Sequence, residues 1–98
     1  EASVLNISLG GALVEHAYIV RPGTISSLVL NMPGRAMELS CRIVRSSVHR
    51  LVVQPDGEGE VIYHTGLEFV DSSGDAHQII SDLVQSTTIP SSLSPSAR

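Results

Sequence analysis

Asn6 and Ser8 stand two residues apart and are followed at once by Gly10 and Gly11, in the run NISLGG near the start of a 98-residue sequence. On an extended strand, residues two apart project from the same face, so an amide and a hydroxyl lie side by side. Together they can address a base edge and a phosphate. A glycine just beyond removes the side chain that would hold a ligand away from the backbone. The same residues also read as a polar strand end that satisfies its own turn, as Asn and Ser commonly do. The residues alone leave both readings open.

Other chemistry is thinly supplied. His16, His49, His64 and His77 show no i, i+4 or short-loop ligand spacing, and Cys41 has no cysteine partner, so the spacing predicts no metal site. Ser8 precedes two glycines, but NISLGG is not the G-x-S-x-G elbow of hydrolases. Neither SLGGA nor SSGD carries the GK(S/T) with which a phosphate-binding loop holds a triphosphate. Cys41 alternates with apolar neighbours and reads as a small buried hydrophobe. No feature that would hold a cofactor is visible. A non-catalytic protein is expected.

Short strands must position these groups. ASVLNI (residues 2–7) and ALVE (12–15) flank the glycine bend, and SLVLNM (27–32) follows the Arg21–Pro22–Gly23 turn. Residues 36–46 carry the clearest period-2 pattern, with Met37, Leu39, Cys41 and Ile43 alternating with Glu38, Ser40 and Arg42. The pattern breaks at Val44–Arg45, which predicts a bulge or the strand's end. A strand at 50–54 comes next. A last long strand, 60–71, places Val61, Tyr63, Thr65, Leu67 and Phe69 on one face. In residues 75–86 the spacing turns helical, with Ala76, Ile79, Ile80, Leu83 and Val84 on one stripe. Residues 87–98, rich in Ser and Pro, read as a disordered tail. Six strand segments and one helix predict a mainly β fold, a small antiparallel barrel with a C-terminal α-helix.

Composition narrows the class. Ninety-eight residues, 42% of them hydrophobic, make one domain with one core. Tyr18, Tyr63 and Phe69 are its only aromatics, so Val, Ile and Leu must build that core, and their enrichment favours strands. The net charge of −4 argues against DNA or RNA binding through phosphates. All six cations are arginines, whose planar fork suits phosphate and guanine; a GC-rich genome that favours arginine codons is the plainer explanation. A single cysteine fits a reducing cytoplasm, and no apolar run approaches the roughly 20 residues that membrane insertion needs.

NISLGGALVE resembles the D/N-x-S-x-x-G signature of PilZ domains, with Asn6, Ser8 and Gly11 at the defining positions. RPGTISSLVLNMP resembles that family's turn and following strand, and MELSCRIVRS its next strand. YHTGLEFVDSSGDAHQIISDLV resembles its closing strand and C-terminal helix. The likeness covers roughly residues 2–86, so residues 1–86 are expected to form a six-stranded PilZ-type barrel with its helix. It implies a receptor for the bacterial second messenger cyclic di-GMP, with Asn6, Ser8, Gly10 and Gly11 contributing to the site.

The resemblance also implies a second piece, an R-x-x-x-R arm one strand upstream, whose guanidinium groups grip phosphates and guanine edges. The sequence opens five residues before Asn6, so the arm and the family's first strand are missing from it. Arg42 and Arg45 are one residue short of the arm's spacing and lie downstream, so its role does not pass to them. Cyclic di-GMP is the expected ligand if the arm lies upstream of this stretch. Members that never had the arm resemble protein-interaction modules that ignore the nucleotide, which is the alternative expectation. A barrel short of one strand exposes an unpaired edge. That predicts a protein partner or a homo-oligomer formed through the edge.

Overall fold

The computed structural model describes residues 2–32, 34–70 and 89–95; the helix expected over 75–86 lies outside them. Six antiparallel strands form the fold: β1 (Ala2–Ile7), β2 (Gly11–His16), β3 (Ile25–Met32), β4 (Arg35–Val53), β5 (Gly59–Phe69) and β6 (Ile89–Pro95). They close into a barrel in the order β1-β2-β5-β4-β3-β6.

Alternation builds the core. Leu28 and Leu30 of β3 and Leu39, Cys41 and Ile43 of β4 turn inward and are almost wholly buried, together with Val14 of β2. Each such aliphatic side chain contributes roughly 1.5–3 kcal/mol on leaving water. On β5, Thr65 and Leu67 are buried and Phe69 packs against the same cluster, as the period predicts. Positive φ is reserved for turns: Gly34 (φ 78°) joins β3 to β4, and Gly57 (φ 90°) joins β4 to β5, where a Cβ would be strained.

Two expectations are corrected. The segments read as strands at 36–46 and 50–54 are one continuous strand of 19 residues, because bulges at Val44 and His49 absorb the breaks in pattern without ending the pairing with β5. The sixth strand comes instead from the supposed disordered tail. Ile89–Ser91 pairs with Val4–Ala2 of β1, and Ser91–Pro95 with Leu30–Ser26 of β3. Leu93 and Ser91 are buried, and the Tyr18 hydroxyl donates to the Leu93 carbonyl at 2.8 Å. Two otherwise open edges impose the strand on a Ser/Pro-rich sequence whose propensity reads as loop. Pro90 faces β1 alone and Pro95 faces β3 alone, so neither must donate an N–H to a second neighbour.

The unpaired edge expected beside β1 is therefore filled by β6. What does stand clear is a ribbon. β2 pairs with β5 only over Tyr63–Glu68, and β3 with β4 only over Arg35–Arg42. Beyond these limits, Arg50–Val53 and Gly59–Ile62 pair only with each other, and Leu51 and Val53 are exposed there.

Candidate functional site

Asn6 reaches the outer face through a bulge that local spacing does not reveal. Ala2 and Val4 point inward, so strict alternation would bury residue 6 as well. The register with β2 slips between Val4 and Asn6. Leu5 and Asn6 are both exposed, and Ile7 takes the inward position. The slip therefore exchanges an amide that would be costly to bury for an isoleucine that belongs inside.

Ser8 follows on the same outer side. Its backbone N–H donates to the Gly11 carbonyl at 2.8 Å, and its hydroxyl donates to the same oxygen at 3.3 Å. The turn is thus partly self-satisfying, as one of the two readings of this segment anticipates. The Asn6 amide makes no hydrogen bond among the described residues and faces solvent.

The two glycines play different parts. Neither has positive φ. A Cβ on Gly10 would meet nothing within 4 Å, whereas one on Gly11 would overlap the Leu67 carbonyl oxygen and lie 3.1 Å from its carbon. Gly10 leaves the backbone open to solvent. Gly11 lets β2 approach β5, which is a requirement of the fold.

Asn6, Ser8, Gly10 and Gly11 all line one open cleft of about 400 Å³, within the usual range for a small-ligand site. Its far wall comes from the neighbouring strands: Val44 and Arg45 at the first β4 bulge, and Gly66, Leu67 and Glu68 on β5. Arg45 pairs with Gly66 across the strands. The arginine stem lies over Gly66, where a Cβ would make only ordinary contact with it, 3.5 Å from Arg45 Cγ. Glu68 is held by Arg42 at 3.1 Å, an exposed pair worth at most about 1 kcal/mol. With Glu68 so engaged, Arg45 supplies the cleft's positive charge. Sequence spacing did not select Arg45, because its place depends on the β4–β5 register and on the bulge that turns it outward.

A second recess, of about 450 Å³, is walled mainly by Tyr18, Ile19, Val20, Ile25, Ile43 and Leu93. Its apolar lining suits a polar anion less well than the cleft beside Asn6 does.

Comparison with known proteins places these observations. The profile of the PilZ domain family matches residues 1–86. No curated protein matches the sequence. Among solved structures, the chain is similar to the PilZ domain with c-di-GMP of YcgR from Escherichia coli, with a TM-score of 0.62 and 14% identity, over 88% of this chain and 79% of that one. At that identity the likeness speaks for the fold.

Proposed function

Since the chain belongs to the PilZ domain family, we propose that it is a non-catalytic receptor domain for cyclic di-GMP, and that the cleft between β1, β2, β4 and β5 receives the nucleotide. The observation that carries this reading is the convergence of Asn6, Ser8 and Arg45 on one open cleft. An amide and a hydroxyl match a guanine edge and its neighbouring polar groups, and a permanent cation with a forked donor set matches phosphate or the O6/N7 edge of guanine. The structurally similar PilZ domain of YcgR carries c-di-GMP, which supports the same ligand class here. Binding would reposition whatever neighbours the domain, with no bond in the ligand broken. A bacterial cytoplasmic setting follows from the ligand.

Titration calorimetry with cyclic di-GMP tests the proposal. Saturable heat is expected, and removing the Arg45 guanidinium (Arg45→Ala) should weaken binding about 10- to 100-fold, from the roughly 1.5–3 kcal/mol of a charged hydrogen bond. Asn6→Ala should weaken it to a lesser degree. Absence of heat with the native protein would refute nucleotide binding.

One observation favours a second reading. The exposed apolar side chains Leu51 and Val53 on the β4–β5 ribbon, with exposed Val48 beside its base, suit a protein partner. In that case the domain is an interaction module. Substituting Leu51 by Glu would then abolish partner binding while leaving the cleft intact.

A further inference from the structure

Three side chains that the sequence scatters over fifty positions meet on the outside of the barrel. Val14 and His16 of β2 point inward, so Glu15 points out. Glu15 pairs directly with His64 on β5, and His64 Nε2 lies 2.9 Å from Glu15 Oε2. On the other side of β5, the register with β4 slips between Val48 and Arg50. His49 sits in that bulge and is turned over the neighbouring strand. Its ring stacks on His64 with centroids 3.8 Å apart and planes within 10°. One donor atom from each of Glu15, His49 and His64 lies within 4.8 Å of the other two.

We propose that Glu15, His49 and His64 form a binding site for a divalent transition-metal cation of the zinc class. Two imidazoles and a carboxylate are a donor set that Zn²⁺ accepts with bonds of about 2.0–2.2 Å, three protein ligands leaving one position for water. Imidazole also suits Cu, Fe and Ni, whereas Mg²⁺ and Ca²⁺ prefer oxygen donors. The lone pairs of two stacked, parallel imidazoles do not converge on one point, so His49 must swing off the His64 ring to bind. It is the residue best able to do so, since it is exposed and stands on a bulge. The cation would sit where His64 Nε2 now meets Glu15 Oε2.

Arg50 is the resident competitor. Its Nη1 lies 3.6 Å from Glu15 Oε2 and its side chain is half exposed, so it can swing into solvent when a cation arrives. The site is separate from the nucleotide cleft, as none of its three ligands lines that cleft. Its ligands come from β2, β5 and β4, so a bound ion would tie the base of the projecting ribbon to the barrel.

The test is titration of the untagged native protein with Zn²⁺ by calorimetry and with Co²⁺ by visible absorption. Saturable one-to-one binding is expected, with the intensified visible bands that Co²⁺ shows when it leaves its hexa-aquo state for a four-coordinate site. Glu15→Gln, which keeps the shape of the side chain, and His49→Ala, at an exposed position, should each weaken binding at least about tenfold. Arg50→Ala should tighten it. Zn²⁺ should raise the melting temperature of the native protein and not of the two ligand variants, because a ligand that binds only the folded state stabilises it. No saturable binding by the native protein, or native-like affinity in both Glu15→Gln and His49→Ala, would overturn the proposal.

Discussion

Replacing Gly11 by alanine sets the demands of the fold against those of a ligand. The added methyl group would overlap the Leu67 carbonyl oxygen and press on Glu68 Cα, 3.4 Å away. Both are backbone atoms of β5, so no side chain can turn aside to relieve the contact. β2 must therefore move away from β5 where Gly11 pairs with Glu68 and Ala12 with Leu67. Overpacking of this kind costs about 1–3 kcal/mol. The displacement also strains the bonds from Phe69 N–H to the Gly10 carbonyl and from Ser8 N–H to the Gly11 carbonyl, each worth about 1 kcal/mol. A total near 2–4 kcal/mol would be a large part of the roughly 5–15 kcal/mol that holds a domain together. At about 4–8 °C per kcal/mol for a domain of this size, the melting temperature should fall by roughly 10–30 °C. Gly10→Ala is the control, because its methyl group meets nothing and should change stability by less than about 0.5 kcal/mol. Thermal melts followed by circular dichroism decide the matter. A Gly11→Ala protein melting within 2 °C of the native one, on the order of error of such a melt, would refute the close-approach argument, as would equal losses at the two glycines.

Three further outcomes are expected. Leu93→Ala should destabilise the domain by about 2–5 kcal/mol in denaturant titration, whereas a side chain on a frayed tail would cost nothing measurable. His16 is buried, and its Nε2 lies 2.6 Å from Thr65 Oγ1, which itself donates to Ser46. Desolvation by burial, partly offset by the Tyr18 backbone, holds the imidazole below its ordinary value of 6.5. The neutral ring is thus the folded form, so its contribution is whole above about pH 6.5 and is lost as acid drives the pH down towards the depressed value. His16→Gln should accordingly flatten the fall of melting temperature on the acid side, and an unchanged acid slope would dismiss the role. Burial pushes the Cys41 thiol up to about 11, and its Sγ donates to the Ser26 carbonyl at 3.3 Å. Iodoacetamide at neutral pH should leave the native protein unlabelled and alkylate it in guanidinium, read by mass; rapid native labelling would contradict this.

The sequence made the barrel legible wherever period 2 ran undisturbed, as at Leu39, Cys41 and Ile43, because one buried face forces that pattern. It was less informative where register decides. Asn6 and Ser8 share a side, as their spacing suggests, but that side is the outer one only because a slip at Leu5 reverses the parity that Ala2 and Val4 establish. Arg45 enters the cleft through its pairing with Gly66, and Glu15, His49 and His64 meet through two strand registers and a bulge. None of these leaves a mark in local spacing. Ile89–Pro95 was illegible for a different reason: its residues have poor strand propensity, and the edges of β1 and β3 supply what it lacks. Gly11 was visible as a motif position, while the reason for it, a carbonyl on β5, was not.

Closure through β6 has a consequence for how the domain is made. Val4 finds its partner in Ile89, nearly the full length of the described chain away, and such distant pairings are slow to form. During synthesis, β1 and its hairpin partner emerge early, yet the seam beside them stays unsealed until residues near 90 have left the ribosome. For that interval a row of free amides and carbonyls is on offer to any passing strand. Chaperone dependence during translation, more than equilibrium stability, is where changes in the closing segment should be felt first.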